Sequence, residues 1–215
     1  MKYSVNDMIA DVYSDIASGR MNDYSLTEKD MKVALALFKQ NMPRRVLDFG
    51  TNEGSTAAFL LDNCPWIERW VGVDLDLQKF GNRGIVPRVA GSKARNDGRF
   101  VAVLTDETVP GFQRVLREWQ RQTSEYDSFD AIIMDANHED WATKRDTEAC
   151  EMFANSPCLW LWHDYDVESR QHSNGRPFSL KSYIDGLVAS GRNIMLPDEE
   201  NRDPWKCCSL AWELR

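Results

Sequence analysis

The chain of 215 residues is predicted to adopt an α/β fold, with helices on both faces of a seven-stranded, mostly parallel sheet. Short apolar runs alternate along the chain with stretches whose apolar residues recur at helical spacing. Acidic or polar residues follow several of these runs, as they do where a parallel sheet binds a ligand. The length fits one domain, and we expect residues 1–42 to form a helical segment and residues 43–215 to form the core.

Two helices are predicted in the N-terminal segment. Apolar residues between positions 5 and 17 recur at helical spacing, and so do those of residues 27–41. At the start of the second helix, Thr27 and Asp30 resemble a capping box.

The stretch Arg45–Leu61 is predicted to form a strand, a glycine-containing turn and a helix that Ser55 caps. Glycine has no Cβ, so such a turn lets a ligand approach the backbone, and the helix N-terminus adds N–H groups and a partial positive charge. Its candidate ligand-binding residues are Asp48, Gly50, Thr51, Asn52, Gly54 and Ser55.

An acid follows the second predicted strand, Arg69–Val73. This acid is Asp74, about 20 residues after Gly54, and at that spacing an acid typically hydrogen-bonds a ribose hydroxyl. Leu75, its neighbour, is a further candidate contact. A tight turn that binds nothing is the alternative.

The middle of the chain is predicted to contain a loop, a strand and a helix. The loop Lys79–Gly98 is rich in glycine and arginine and could attract an anionic substrate group, although charge runs are usually solvated. Phe100–Leu104 is the third strand, and Asp106 can cap the helix that follows it.

Two further apolar runs, Phe129–Met134 and Cys158–Trp162, end in residues suited to catalysis. Because the carboxyl ends of neighbouring parallel strands meet at one edge of a sheet, we expect these residues to lie together. Turn capping or a structural hydrogen-bond network is the alternative for the two histidines. The candidate catalytic residues are Asp135, His138, His163 and Asp164.

The C-terminal part is predicted to close the sheet with an antiparallel hairpin. A helix over Ser179–Ser190 precedes the two strands, Asn193–Leu196 and Cys208–Leu214. The polar loop of residues 166–178, which contains His172, is a candidate lid over a substrate.

Composition limits the partners of the chain. A net charge of −8 and a pI of about 5.0 disfavour general binding to nucleic acid. We expect neither a membrane span nor a signal peptide, because no apolar stretch is long enough and the first residues contain acids. Five cysteines without a C-x-x-C pair indicate reduced thiols and a cytoplasmic protein.

Three motifs resemble one enzyme family. The run D-x-G-x-x-x-G-S-T, which begins at Asp48, resembles motif I of class I S-adenosylmethionine-dependent methyltransferases, whose fold is a Rossmann-like three-layer sandwich. The run FD-x-I-x-x-D-x-x-H, which ends at His138, and the run HDY, which begins at His163, resemble the small-molecule O-methyltransferase branch with its catechol, caffeoyl-CoA and macrocin types. The motifs span residues 45–165.

This resemblance implies S-adenosylmethionine as cofactor and methyl transfer to an oxygen of a small-molecule acceptor. Asp48 and the glycines would line the methionine part of the cofactor, Asp74 would hold the ribose, and Asp106 would contact the adenine amino group. In the related enzymes an N-terminal helical segment often covers the substrate or makes the contact of a homodimer, and simple packing on the sheet is the alternative.

The resemblance also implies a metal. In several relatives the equivalent acids hold a divalent ion that orients the substrate hydroxyl, so Asp135, His163 and Asp164 are candidate ligands for Mg²⁺ or Mn²⁺. The sugar O-methyltransferases have two acids where this chain has His163 and Asp164. Metal-free chemistry, with His138 or His163 as general base, is therefore an equal expectation.

Other functions are less consistent with the sequence. A nicotinamide-dependent oxidoreductase would carry G-x-G-x-x-G and, in one class, a Tyr-x-x-x-Lys pair. A protein that only binds the cofactor would not need the cluster of acids and histidines. Methylation of nucleobase amines would call for an Asn/Asp-Pro-Pro-Tyr motif after the fourth strand. This chain has Asp-Ala-Asn-His there, at residues 135–138.

Overall fold

In chain order, the computed structural model contains β1 (Lys2–Tyr3), α1 (Glu28–Asn41), β2 (Arg45–Phe49), α2 (Ser55–Asn63), β3 (Arg69–Asp74), β4 (Gly84–Val86), β5 (Phe100–Leu104), α3 (Val109–Thr123), β6 (Phe129–Met134), α4 (Asp140–Glu151), β7 (Ala154–Trp162), α5 (Leu180–Ala189), β8 (Leu196–Pro197) and β9 (Ala211–Leu214). It describes residues 2–3, 26, 28–74, 84–86, 94, 96–104, 109–123, 128–165, 179–197 and 209–215.

The main sheet has the strand order β4-β5-β3-β2-β6-β7-β9 within these described residues. Its five inner strands are parallel, and the edge strands β4 and β9 run antiparallel to their neighbours. The chain leaves β2 towards β3 on one side and later returns to β6 on the other side. The predicted α/β class is confirmed, and β2 and β6 enclose the point where ligands bind in such sheets.

Six of the seven predicted strands join this sheet, and the predicted strand Asn193–Leu196 does not. A single antiparallel bridge, Met195 to Trp212, joins that stretch to β9. Leu196 forms β8 together with Pro197, and this strand pairs in parallel with β1 in a separate two-stranded sheet. The predicted terminal hairpin is therefore reduced to that bridge. At the opposite edge of the sheet, β4 lies in a stretch that was predicted to be a loop.

Two apolar clusters fill the space on either side of the sheet. One contains the buried residues of α1 and α2, and the other contains those of α3, α4 and α5. The predicted apolar stripe of α1 is confirmed, since Met31, Ala34, Leu35 and Phe38 are all buried. This arrangement is the three-layer sandwich, with the sheet in the middle.

Several predictions fall on residues outside the described ranges. They are the helix over residues 5–17, the capping residue Thr27, the candidate cofactor contacts Leu75 and Asp106, and the loop 166–178 with His172. No described helix combines the length and apolar character needed to cross a membrane.

Candidate functional site

The strand ends that carry the predicted site lie side by side. In the parallel ladder Phe49 is opposite Met134, and Met134 is opposite Trp162. The ladder continues one step further, because the N–H of Asp135 donates to the carbonyl of Phe49 (2.8 Å) and the N–H of His163 donates to the carbonyl of Met134 (3.1 Å). The glycine-containing turn and the acid–histidine residues therefore share one edge of the sheet.

The turn after β2 requires glycine at position 50. Gly50 has φ +100°, and its N–H donates to the Val73 carbonyl at the end of β3 (2.8 Å). A Cβ at this position would lie 2.3 Å from the backbone oxygen of Asp135 and 2.6 Å from the Cα of Ala136. The turn is thus packed against the end of β6, which brings the predicted cofactor side close to the predicted catalytic side.

Asp74 lies beside the same turn. Its Oδ2 accepts a hydrogen bond from the N–H of Asn52 (2.7 Å), which itself has a left-handed φ of +47°. The carboxylate at the end of β3 is therefore joined to the glycine-containing turn, as the spacing of the two segments predicts.

The predicted capping role of Ser55 is wrong. The N-cap residue of α2 is Gly54, with φ +73°, and Ser55 is already the first helical residue. The Ser55 hydroxyl is buried and makes no hydrogen bond to any part of the chain that the structure describes. The first turn of α2 thus has N–H groups and a hydroxyl that a polar ligand can satisfy.

Asp48 lies beneath the turn and is buried. Its Oδ2 accepts hydrogen bonds from the Thr51 hydroxyl (2.8 Å) and the Trp70 indole N–H (3.2 Å), which are both neutral donors. Burial raises the pKa of Asp48 to about 7, and the nearby charges of Asp135 and Asp74 act in the same direction, against the two hydrogen bonds.

The structure brings the four predicted catalytic side chains together. Each offers a ligand atom, and these atoms all lie within 4.8 Å of one another. His163 Nδ1 is 2.8 Å from Asp135 Oδ1. His138 Nε2 is 3.2 Å from Asp164 Oδ2 and 3.5 Å from Asp135 Oδ1. Two carboxylates and two imidazoles therefore alternate around one point.

The charges in this cluster stabilise one another. Burial alone would lower the pKa of His163, but the carboxylates of Asp135 and Asp164 outweigh it and hold this pKa well above its usual value. Burial alone would raise the pKa of Asp135, but His163 and His138 outweigh it and hold this pKa below its usual range. At neutral pH we therefore expect an imidazolium at position 163 and a carboxylate at position 135.

The backbone of Asp164 is in the left-handed region, with φ +61°. A non-glycine residue in this conformation stores strain, which the surrounding structure must hold. The next residue supplies that support, because the N–H of Tyr165 donates to the Ser209 carbonyl (2.8 Å) and its hydroxyl donates to Asp185 Oδ1 of α5 (2.6 Å). The strained turn directs the Asp164 carboxylate towards His138.

His138 is held by the start of α5. Its carbonyl accepts hydrogen bonds from the N–H groups of Ser179 (2.8 Å) and Leu180 (3.0 Å). Next to it, a cavity of about 10 Å³ is lined by residues that include Asp146 and His163. This space is close to the smallest that can hold one water molecule.

One residue of the site, Asp30 of α1, was not predicted from the sequence as a site residue. It is fully buried, and its Oδ2 lies 3.4 Å from His163 Nε2. A signal was present in the sequence, because positions 30, 34 and 38 follow one another on a single face of a helix, and Ala34 and Phe38 belong to its apolar stripe. An acid in line with that stripe is unusual enough to mark a buried contact.

Comparison with known families gave one match. A family model described as a methyltransferase domain matches residues 47–165, which is more than half of the chain. The chain matches no curated protein in sequence.

The chain is similar to many solved structures, and the following three are 12% or 13% identical to it in sequence. The O-methyltransferase TomG from Streptomyces achromogenes, solved with S-adenosylmethionine, has a TM-score of 0.58 and 12% identity, covering 99% of this chain and 88% of its own. An O-methyltransferase from Bacillus cereus, solved with S-adenosylhomocysteine, has a TM-score of 0.55 and 13% identity, covering 96% and 89%. The N-methyltransferase NodS from Bradyrhizobium japonicum has a TM-score of 0.55 and 12% identity, covering 97% and 98%. At this identity the likeness concerns the fold.

Proposed function

The chain belongs to the family of methyltransferase domains, and we propose that it transfers a methyl group from S-adenosylmethionine to an oxygen of a small molecule. The observation that carries this proposal is the cluster of Asp135, His138, His163 and Asp164, whose ligand atoms lie within 4.8 Å of one another. The cluster adjoins the glycine-containing turn, since Gly50 packs on the backbone of Asp135.

The turn has the features that this cofactor needs. S-adenosylmethionine supplies a methyl group on a sulfonium, which is already a good leaving group. Asp74 would accept hydrogen bonds from the ribose hydroxyls, as acids at the end of the second strand do in such sheets. The N–H groups of the first turn of α2 and the Ser55 hydroxyl, which has no described partner, would bind the carboxylate end of the cofactor.

His138 is the best candidate for the general base. A hydroxyl is a weak nucleophile and must lose its proton as the methyl group is transferred, which a positioned base can assist. His138 Nε2 lies between Asp164 and Asp135, and both carboxylates would stabilise the imidazolium that forms. His163 is less suited to this role, because each of its ring nitrogens already faces a carboxylate.

The same cluster fits a divalent cation in part. Asp135 and Asp164 offer oxygen ligands and His138 offers a nitrogen, a set that Mn²⁺ tolerates better than Mg²⁺ does. His163 would stay outside this set, since its Nδ1 is 2.8 Å from Asp135 Oδ1. A bound cation would supply Lewis acidity to the acceptor oxygen.

Two further features belong to the proposal. We place the protein in the cytoplasm, because Cys64, Cys150 and Cys158 are free thiols. We also propose a small-molecule acceptor rather than a nucleic acid, because the chain carries a net charge of −8.

The first test is cofactor binding. Isothermal titration calorimetry with S-adenosylmethionine and S-adenosylhomocysteine, on the wild type and on Asp74→Asn, should show binding that weakens by about 10- to 100-fold in the variant, as loss of a charge-assisted hydrogen bond implies. The control is Glu118→Gln, which removes an exposed carboxylate on α3. If neither compound binds the wild type, the methyltransferase proposal fails.

The second test concerns the acceptor. Wild type and His138→Gln are incubated with S-adenosylmethionine and matched pairs of phenols and anilines, with a chelator, Mg²⁺ or Mn²⁺, and the formation of S-adenosylhomocysteine is measured. We expect turnover of phenols that falls about 10²- to 10⁴-fold in His138→Gln. Turnover confined to anilines would contradict an oxygen acceptor, and turnover that the chelator leaves unchanged would contradict the cation.

A further inference from the structure

We propose that Asp30 of the N-terminal helix α1 is a positioning residue of this site, which fixes the His163 ring and through it the carboxylate of Asp135. The effect of Asp30 on catalysis rests on the proposed function. The positioning contact itself rests on the geometry of three side chains.

The three side chains form a continuous line. Asp30 Oδ2 lies 3.4 Å from His163 Nε2, and on the other side of the ring His163 Nδ1 lies 2.8 Å from Asp135 Oδ1. The His163 side chain is only 3% exposed, and that of Asp30 is fully buried. His163 Nδ1 is within hydrogen-bond distance of Asp135, whereas Nε2 makes longer, charge-paired contacts to Asp30 Oδ2 and, at 3.6 Å, to Asp164 Oδ1. Asp30 is the nearer of the two carboxylates at Nε2.

Packing alone does not account for Asp30. A carboxylate without solvent is costly unless charged or hydrogen-bonding partners compensate it, and the other residues of this helix face, such as Ala34 and Phe38, are apolar. The hydrogen bonds that Asp30 accepts from Ser209 orient its carboxylate towards His163. The Ser209 N–H donates to Oδ1 (2.7 Å), and the Ser209 hydroxyl donates to Oδ2 (3.2 Å).

The arrangement prevents the ring from turning. If His163 rotated by half a turn about its χ2 angle, Asp135 and Asp30 would face ring carbons and lose their contacts with the ring nitrogens. Asp30 thus holds the ring in the orientation that keeps Nδ1 on Asp135. Outer partners of this kind commonly change activity by about 10- to 100-fold when they are removed.

Two variants separate this role from simple packing. Asp30→Asn keeps the size of the side chain and an oxygen for the Ser209 N–H, but it removes the acceptor that faces His163. Ser209→Ala removes a hydroxyl bond to the same carboxylate and leaves the contact between Asp30 and His163 intact. Because Ser209 is buried as well, both variants perturb the same contact region.

Methyl transfer is measured as S-adenosylhomocysteine formation, with an acceptor phenol that the wild type turns over. We expect kcat to fall about 10- to 100-fold in Asp30→Asn, with the Kd for S-adenosylhomocysteine within twofold of wild type. Ser209→Ala should lower kcat less than Asp30→Asn does, because the Ser209 N–H still orients the carboxylate and the charge that faces His163 remains. Equal losses of kcat in the two variants, or an unchanged kcat in Asp30→Asn, would overturn the positioning role.

A spectroscopic measurement tests the same line of contacts without turnover. The chain has three histidines, so side-chain ¹H–¹⁵N spectra are simple, and His163→Gln identifies the signals of that ring. We expect slowly exchanging N–H protons on both ring nitrogens of His163, with the Nε2–H signal lost in Asp30→Asn and kept in Ser209→Ala. If the wild type shows no protected Nε2–H, the inference is wrong even where the enzyme is active. If that signal is present but no acceptor or cofactor is used, the inference stands and the proposed function fails.

Discussion

Two acids at the same edge of the sheet, the buried Asp48 and the half-buried Asp135, have pKa values that are shifted in opposite directions. They belong to neighbouring strand segments, since Asp48 is opposite Ile133 and the Asp135 N–H bonds the Phe49 carbonyl. The pKa of Asp48 is raised to about 7, because burial outweighs its two neutral donors. The pKa of Asp135 is held below its usual range, because two imidazoles outweigh burial.

The two acids differ most in the charge of their partners, which are neutral donors at Asp48 and imidazoles at Asp135. Hydrogen bonds from neutral donors such as Thr51 leave Asp48 able to take up a proton near neutral pH. The charged partner His163 keeps Asp135 an anion throughout the physiological range. Asp48, beneath the glycine-containing turn, can therefore change its charge near neutral pH, whereas Asp135, in the catalytic cluster, stays ionised.

The largest effect on stability should come from adding a side chain at Gly50, where the turn after β2 packs against the end of β6. Gly50→Ala adds a Cβ 2.3 Å from the Asp135 backbone oxygen at a left-handed φ, so we expect the free energy of unfolding to fall by about 4 kcal/mol. Gly191→Ala is the matched control, because Gly191 has φ +98° and nothing within contact distance. It should cost about 1–2 kcal/mol in urea denaturation, and equal losses in both variants would show that only the backbone angle matters.

Removing the negative charge of Asp135 should reduce catalysis strongly. In Asp135→Asn the two imidazoles lose a charged partner, so the imidazolium that forms at His138 is less stabilised. We expect kcat to fall about 10²- to 10³-fold, while the Kd for S-adenosylhomocysteine changes little. Comparison with Asp48→Asn by the same assays provides the control, and a larger loss of kcat in that variant would reverse the roles assigned to the two acids.

The pH dependence of stability should isolate Asp48. Its folded pKa of about 7 is above the unfolded value of 3.8, so the folded chain keeps a proton that the unfolded chain has lost between these pH values. Stability from this residue is therefore present below about pH 4 and lost as the pH rises towards 7, by at most about 1.4 kcal/mol per pH unit.

Asp48→Asn should remove that slope. Urea midpoints of wild type and variant, measured from pH 4 to pH 8, should diverge in favour of the variant from about pH 4 upwards and differ by a constant amount above about pH 7. Parallel curves over the whole range would mean that Asp48 is ionised in the folded protein.

The smallest effect is expected at Ser55. Its buried hydroxyl makes no described hydrogen bond, so Ser55→Ala should change the free energy of unfolding by less than about 1 kcal/mol. The same variant should weaken the binding of S-adenosylmethionine several-fold in calorimetry if this hydroxyl contacts the cofactor. An unchanged affinity would remove Ser55 from the cofactor site.

Local segments were predictable from the sequence. The strand, turn and helix of residues 45–63 follow from short-range patterns, and the meeting of Asp135 with His163 follows from a general property of parallel strands. The edge strand β4 was missed, because three residues carry too weak a pattern and the pairing depends on β5. Asp30 was missed as a site residue because its partner Ser209 is 179 positions away in sequence.

That separation has a consequence for how the protein is made. A ribosome releases the chain from its N-terminus, so α1 emerges long before the residue that binds its buried acid. Until Ser209 has been added, the Asp30 carboxylate lacks the N–H that orients it, and the His163 ring is held from one side only. The Asp30 contact with His163 can therefore be fully ordered only after a segment 179 residues downstream of Asp30 has been synthesised.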